Sequence, residues 1–264
     1  MIEKRKFLGL KPLKVKLISI LLLISVSLSL GACSGTTQVQ RTLKYESFEL
    51  QVGDLVENGV AFITPTSITG QEQDRQSVAF LFARVLEEER PDVPVMSLAE
   101  TLGEVNNAGL IDEYRQMFEY YDDTGILPAS SLKKISEVTG QRYIAMLQMA
   151  AYSNTSSGRV RIFGVRFIVT KSATLRLFNQ IWDSETGKIA WEANQEMTVS
   201  YETAAETAVT FETMVEYVAK DLVTMLPHIC PDGVELSEQQ QQACTPIGEE
   251  PGTTYTAGER LQRD

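Results

Sequence analysis

Residues 173–193 read ATLRLFNQIWDSETGKIAWEA, and this stretch decides the fold. Alternating apolar and polar residues predict one strand over residues 173–182 and a second over residues 188–201. The segment between them predicts a tight turn, in which Gly187 can adopt a positive φ and Asp183 can cap the corner. The stretch is therefore typical of a hairpin in an antiparallel meander.

The rest of the chain predicts helices before this meander and one helix after it. Ser97, with Glu100 three residues later, has the spacing of a capping box at a helix start. We expect an α/β (α+β) fold in a single domain over residues 45–227, with a mixed or antiparallel sheet packed against three to four helices. The strand patterns cover residues 45–52, 60–64, 93–96, 143–152 and 159–169, and the helical patterns cover residues 72–90, 110–121, 129–139 and 208–226.

The N-terminal 32 residues predict an export signal. Residues 1–16 are basic, and an uncharged, mostly aliphatic run of 14 residues follows. At ~1.5 Å per residue this run is short for the ~30 Å hydrocarbon core of a membrane. It ends in Leu30-Gly31-Ala32-Cys33, which resembles a bacterial lipobox. An ordinary cleavage site, or an uncleaved helix with a chance cysteine, is the alternative.

The lipobox resemblance implies cleavage between Ala32 and Cys33, with diacylglycerol on the Cys33 sulfur and a fatty acyl group (palmitate) on its new amine. Several acyl chains, each contributing ~0.8 kcal/mol per buried CH2, would anchor the protein stably to the membrane. Ser34 follows the cysteine, which in such lipoproteins implies sorting to the outer membrane, and we expect the domain to face the periplasm. Residues 33–44 are predominantly polar and predict a tether.

The net charge of the chain indicates that an anchor is needed to hold it at a membrane. The whole chain has 24 basic and 35 acidic residues, a net charge of -11, and cleavage removes six basic residues and one acidic residue, which leaves -16. So acidic a protein would not adhere to anionic lipid through its surface. The same acidity argues against binding to nucleic acid.

Cysteine usage agrees with export. Once Cys33 is lipidated, Cys230 and Cys244 remain, and in an oxidising periplasm they would pair and stabilise the fold by roughly 3 kcal/mol. Two free thiols, or a metal pair without further ligands, are the alternatives. We therefore expect a disulfide loop over residues 228–244, followed by a disordered tail over residues 245–264 that is poor in large apolar residues.

Catalytic and cofactor motifs are absent from the sequence. It has one histidine, His228, and contains no Gly-x-Ser-x-Gly elbow, phosphate-binding loop or dinucleotide fingerprint. We therefore expect no catalytic residues, no metal site and no cofactor. The acidic pair Asp122 and Asp123 is a weak candidate for an enzyme acting on cell-wall or surface polysaccharide, and a solvated helix end is the simpler interpretation.

Arg159 and Arg161 are candidates for a contact with a partner protein. In a strand, residues two apart point to the same side, so these arginines would form a basic spot on an acidic domain. They could contact an acidic partner or a neighbouring copy. The simpler interpretation is that they solubilise an exposed strand and discourage edge pairing.

The order of elements resembles a known family. A helix leads into LKKISEVTGQRYI at residues 132–144, and LRLFNQIWD at residues 175–183 precedes TGKIAW at residues 186–191. These motifs are similar to the periplasmic domain shared by the CsgG curli-secretion lipoprotein, the LpoB activator of peptidoglycan synthases and PelC. The resemblance covers roughly residues 45–227 and implies a CsgG-like fold in an outer-membrane lipoprotein.

From these observations we expect a non-enzymatic lipoprotein, anchored through Cys33, that acts as an accessory or assembly module. Its partner would be another envelope protein or a second copy in a homo-oligomer. An oligomeric secretion-channel component resembling CsgG is one alternative, and the polysaccharide-acting enzyme is the other.

Overall fold

The computed structural model describes residues 37–67, 72–162, 165–203, 209–229, 244–245 and 259–261, all within one compact unit that begins at Thr37. The helices described are α1 (Asp54–Asn58), α2 (Glu72–Glu89), α3 (Leu98–Asn107), α4 (Ile111–Thr124), α5 (Ala129–Thr139) and α6 (Phe211–Val223). The strands are β1 (Thr37–Ser47), β2 (Val60–Phe62), β3 (Thr66–Ser67), β4 (Val95–Met96), β5 (Tyr143–Ile162), β6 (Val165–Asp183), β7 (Lys188–Thr203), β8 (His228–Ile229), β9 (Cys244–Thr245) and β10 (Glu259–Leu261).

The main sheet is mixed, as the sequence predicts. Its strand order is β10-β1-β7-β6-β5-β2-β4, and β3 pairs with β5 beside this path. The pairs from β10 to β5 are antiparallel, whereas β2 and β3 run parallel to β5 and β4 runs parallel to β2. The antiparallel half contains the predicted meander, and the parallel half is built from the short strands that alternate with helices.

Helices cover the two faces of the sheet unequally. On one face, α2 and α6 pack against the larger core, to which β2 contributes Val60 and Phe62. On the other face, α4 and α5 pack against a smaller core, to which the same strand contributes Ala61. Both faces of β2 are therefore buried, because successive strand residues point to opposite sides of a sheet. The smaller core ends near Trp182, so the rest of that face is not covered by these helices.

Helix boundaries follow local chemistry. The Ser97 hydroxyl accepts a hydrogen bond from the Glu100 N–H at 3.4 Å, and the Ser97 N–H donates to the Glu100 carboxylate at 2.8 Å, which confirms the capping box. Gly140 ends α5 with φ 68°. The six helices described exceed the three to four predicted, because the short α1 adds a turn and Gly109, with φ 69°, separates α3 from α4.

The β6–β7 corner is held by one carboxylate. Asp183 Oδ1 and Oδ2 each accept a hydrogen bond of 2.9 Å from the Arg142 guanidinium. The carboxylate also accepts from the Glu185 N–H at 3.0 Å and the Thr186 hydroxyl at 3.1 Å. Gly187 completes the turn with φ 71°. The predicted roles of Asp183 and Gly187 are thus confirmed.

Two segments differ from the sequence expectation. Residues 37–44, which we expected to be tether, lie in β1 and pair with β7 as far as Thr37, opposite Tyr201. Residues 259–261, which we expected to be disordered tail, form β10 and pair with β1. In both cases backbone pairing along a sheet edge compensates for a local sequence that is mainly polar.

Candidate functional site

The β5–β6 hairpin extends beyond the helices. Tyr152 of β5 contacts α6 through an edge-on ring contact with Phe211, at 5.0 Å between ring centres. The next four residues, 153–156, are all exposed, so both faces of β5 are uncovered there. We define the arm as residues 153–162 of β5 and 165–172 of β6.

The arm has unpaired edges among the described residues. On the outer side of β5, strand β3 pairs with Gln148 and Met149 and no further. On the outer side of β6, pairing with β7 begins at Val169. Among the described residues, the backbone along these stretches of edge has no strand partner, and an edge of this kind is a template for an added strand.

The arm is basic within an acidic protein. No aspartate or glutamate occurs between Glu137 and Asp183, although the chain has 35 acidic residues in total. The register places two arginines, Arg161 and Arg166, directly opposite each other across the hairpin. Like charges at directly opposed positions destabilise an antiparallel pair.

A second feature is an open groove of about 480 Å³ between α6 and the β1–β7 ladder, which we call the α6 groove. Two valines on the strands, Val39 and Val199, and Val209 before the helix give it an apolar lining. Tyr217 of α6 contributes an exposed aromatic side chain to the same lining. The groove thus combines apolar side chains with the charged side chains of Arg41, Lys220 and Asp221.

An ion pair lines part of the α6 groove. The Arg41 guanidinium donates to Asp221 Oδ1 at 2.9 Å, and the Gln195 amide donates to Asp221 Oδ2 at 2.5 Å. Burial raises the pKa of the Asp221 carboxyl above its ordinary value, although Arg41 and Gln195 act in the opposite direction. Gln195 Oε1 is buried and has no hydrogen-bond partner among the described residues. The unpaired Gln195 oxygen lies behind the groove lining rather than in it, whereas Asp221, which Gln195 holds, is part of the lining.

The structure tests few of the predicted site residues. Ala32, Cys33 and Cys230 lie outside the described residues, so cleavage, lipidation and the disulfide stay predictions. The backbone of Cys244 pairs with that of His228, two residues before Cys230. This pairing brings the two ends of the expected disulfide loop together.

The remaining candidates fall on exposed or edge positions. Arg159 and Arg161 lie near the end of β5 in the arm. Asp122 and Asp123 are exposed in the last turn of α4. Within the described residues, no group of three or more His, Cys, Asp or Glu side chains is placed to hold a metal ion. The arm thus combines the predicted arginines with stretches of edge that no described strand pairs, whereas the aspartate pair belongs to no metal-holding group among the described residues.

No helix among the described residues is both long and apolar enough to span a bilayer. No protein-family model matches the sequence, and no curated protein does. Among solved structures, the chain is similar to PelC from Paraburkholderia phytofirmans, described as a dodecamer. One PelC structure has 13% identity and a TM-score of 0.35, and covers 71% of this chain and 92% of its own. A structure of a PelC variant has 10% identity and a TM-score of 0.37, and covers 71% and 97%.

The chain is also similar to lipoprotein GNA1162 from Neisseria meningitidis, with 12% identity and a TM-score of 0.31, over 62% of this chain and 97% of that one. At these identities and scores the likenesses do not establish what the chain does. Its function has to be argued from its own residues.

Proposed function

We propose that this chain is an acylated lipoprotein of the bacterial outer membrane, and that its domain is a non-enzymatic assembly module. The module binds a second copy of itself, or an acidic envelope protein, through the arm. The observation that carries the proposal is the arm itself, a hairpin without acidic residues whose outer edges, among the described residues, pair with no strand beyond Met149 on β5 and before Val169 on β6.

The stretches of edge that have no partner among the described residues support binding by strand addition. An added strand can hydrogen-bond to the outer side of β5 beyond Met149 without displacing any described element. Because backbone pairing of this kind is independent of sequence, the side chains of the arm must select the partner. Apolar residues oppose each other near its end, with Val160 opposite Ile168 and Ile162 opposite Val165.

The charges support a partner that is acidic. The arm contributes Arg159, Arg161 and Arg166, whereas the complete chain is negative by 11 charges. A second copy of the chain therefore satisfies the electrostatic requirement of the arm. Charge complementarity of this kind selects partners and accelerates their encounter more than it adds affinity.

Lipidation would favour assembly by raising the local concentration of the protein. Anchoring at Cys33 would confine every copy to one surface, which raises the effective concentration of each copy for its neighbours. An arm contact that is weak in dilute solution would then suffice on the membrane. The anchor and the arm thus serve the same process.

Light scattering coupled to size-exclusion chromatography tests the proposal. The acylated protein in detergent and the mature chain, residues 34–264, are compared with the variant Arg159→Glu/Arg161→Glu. The matched control is Arg176→Glu/Lys133→Glu, which makes the same charge change at exposed positions outside the arm. We expect a defined oligomer in the acylated protein and in the control, and its loss in the arm variant.

Two results would count against this proposal. An oligomer that survives Arg159→Glu/Arg161→Glu would remove the arm from the interface. If both wild-type forms are monomeric, crosslinking from the arm in the native envelope decides: the absence of a crosslink to a second copy would exclude self-association, and any other product would identify an acidic partner. Mass spectrometry of the N-terminal peptide tests acylation at Cys33 separately.

A further inference from the structure

The four antiparallel strands β1, β7, β6 and β5 have an unpaired stretch at each outer edge. Among the strands that the structure describes, β10 pairs with residues 41–43 of β1, which leaves residues 37–40 without a partner on their outer side. At the opposite edge, β3 pairs with β5 as far as Met149, which leaves residues 153–156 without one. The side chains of both stretches are exposed, except that of Val39, which is half-buried. Each stretch can therefore take an added strand without displacing a described element.

The strand register places the two stretches at the same level of the sheet. One row across the four strands consists of Gln38, Ser200, Ser172 and Thr155. Two further pairs of edge residues share a row in the same register, namely Thr37 with Ser156 and Gln40 with Ser153. The two stretches thus stand level with each other, on opposite edges of the same four strands.

Strand direction allows these edges to join between two copies. Each of the four strands is antiparallel to the next, so β1 runs antiparallel to β5. When a second copy lies beside β5 in the same orientation as the first, its β1 continues this alternation, and its residues 37–40 face residues 153–156 of the first copy. The side chains also match, because residues in one row point to the same face of a sheet. Two copies can therefore pair along these edges without a change in either fold.

Neither stretch has the features that protect a strand edge from pairing. Natural edges are blunted by charged side chains, by proline, by bulges or by being very short. Residues 37–40 read TQVQ and residues 153–156 read SNTS, with no charge and no proline. The pairing of β5 with β6 is regular from Ala151 to Gly158, between two register shifts. In contrast, β4 at the far edge of the main sheet has two residues and directly follows Pro94. Of these edges, the two stretches are the ones suited to strand addition.

The register also brings opposite charges near each other. β7 extends past the residue that pairs with Thr37, and its next residue is Glu202. Glu202 stands level with Ser157, because the two pair with the same residue of β6. In two joined copies, Glu202 of the second copy would lie two strands from Ser157 of the first, about 10 Å at ~4.8 Å per strand. Arg159 of the arm follows two residues later, so an acidic residue of the second copy would lie near it, as the proposed function requires.

We propose that residues 37–40 of one copy pair with residues 153–156 of the next, so that the four-stranded sheet continues from copy to copy. The inference rests on the self-association in the proposed function and names the surface that receives the arm. Because the contact joins two different edges, it is head-to-tail, and every added copy leaves one further edge to be paired. Assembly therefore continues beyond a dimer.

Disulfide crosslinking tests this pairing in the mature chain, residues 34–264, and in the acylated protein in detergent. The variant Gln38→Cys/Thr155→Cys places one thiol on each edge. Within one chain these positions are three strands apart, about 14 Å at ~4.8 Å per strand, whereas the Cα atoms of a disulfide lie roughly 4.4–6.8 Å apart. Any disulfide between them therefore joins two copies. On oxidation we expect a ladder of dimers and larger species on a non-reducing gel, and its loss on reduction.

The matched control is Gln38→Cys/Asn154→Cys, which moves the second thiol by one residue to the other face of the arm. We expect little product from it, because thiols on opposite faces cannot be bridged without backbone movement. The wild type and the two single-cysteine variants measure the background from Cys230 and Cys244. Thermal melts establish that each variant, altered only at exposed positions, is folded.

Three results would overturn the inference. The first is the absence of product from Gln38→Cys/Thr155→Cys. The second is equal product from the Asn154→Cys control, which would indicate random collision. The third is product from either single variant, since Gln38→Cys alone would indicate pairing of β1 with β1, and Thr155→Cys alone would indicate pairing of arm with arm.

Failure of this inference can be told apart from failure of the proposed function. If the wild type forms an oligomer that Arg159→Glu/Arg161→Glu abolishes, but Gln38→Cys/Thr155→Cys gives no product, the arm binds another surface of the second copy and only this inference fails. If both forms are monomeric and crosslinking from the arm in the native envelope captures no second copy, self-association and this inference fail together.

Discussion

The β6–β7 corner gives the most direct prediction, because one buried carboxylate holds it together. We expect Asp183→Asn to destabilise the fold strongly at neutral pH. The Asp183 side chain is 4% exposed and forms a two-point ion pair with Arg142, which is 32% exposed. Asparagine keeps the shape, but its amide group would place a donor opposite a guanidinium N–H.

The magnitude follows from the burial of the pair. Breaking a buried ion pair costs about 3–5 kcal/mol. Because Arg142 is partly exposed, water and Glu185, at 3.0 Å, would compensate for some of this loss. We therefore expect a decrease of about 2–3 kcal/mol in the free energy of unfolding, which corresponds to a melting temperature lower by roughly 5–10 °C for a domain of this size.

The effect should depend on pH. Burial would raise the pKa of Asp183, but the Arg142 guanidinium, the Glu185 N–H and the Thr186 hydroxyl together hold it below its ordinary value. A carboxyl whose pKa is lower in the folded state stabilises the fold above its unfolded-state pKa of ~3.9. This stabilisation is lost as the pH falls through the lower, folded-state value.

Urea denaturation of the mature chain at pH 7, 5 and 3 measures the difference between wild type and Asp183→Asn. The difference should be similar at pH 7 and 5 and smaller at pH 3, with an unchanged dependence on urea concentration. Asp122→Asn, at an exposed carboxyl, is the control and should lie within about 0.5 kcal/mol of the wild type. Two results would refute the role assigned to Asp183. The first is a decrease in the free energy of unfolding of Asp183→Asn below 0.5 kcal/mol, about the size of a surface substitution. The second is a decrease that is the same at all three pH values.

Three further changes test other parts of the fold. Ser97→Ala should cost about 1 kcal/mol in urea denaturation, because it removes the side-chain acceptor of the α3 capping box; an unchanged midpoint would contradict this. Gly187→Ala should lower the free energy of unfolding by about 2 kcal/mol or more, and by more than Gly53→Ala does. Both glycines have positive φ, but a Cβ at Gly187 would also lie 2.5 Å from that of Ala129. For the predicted disulfide, thiol labelling without reductant should leave Cys230 and Cys244 of the exported protein unmodified, and labelling of both would show free thiols instead.

The features that the sequence predicts correctly are those whose residues interact within a few positions of one another. The turn before Gly187 was recognisable because Asp183, Thr186 and the glycine act within five residues of one another. The capping box at Ser97 is equally local. In contrast, residues 159–169, in which apolar residues surround three arginines, predict a single strand, whereas β5 ends at Ile162 and β6 begins at Val165. Apolar residues on both sides of the reversal conceal it.

The α6 groove could not be predicted in the same way. Arg41 and Asp221 meet across 180 residues of sequence, and nothing in either neighbourhood indicates the other. One signal was present: Val39, Leu43 and Tyr45 are spaced at multiples of two, as expected for one face of a strand. It was outweighed by the polar residues between them, which are typical of a tether.

The need to keep other chains from pairing with an exposed strand edge does not by itself explain the composition of the β5–β6 hairpin. A few charged residues suffice to keep an exposed strand from pairing with other chains. Here, acidic residues are missing from the whole interval between Glu137 and Asp183, and Arg161 and Arg166 are opposed in register. Acidic residues beside them would relieve this repulsion within the hairpin, yet none is present. This composition is what the proposed function requires, since the compensating charge would then come from outside the hairpin, from another copy of this acidic chain or from an acidic envelope protein.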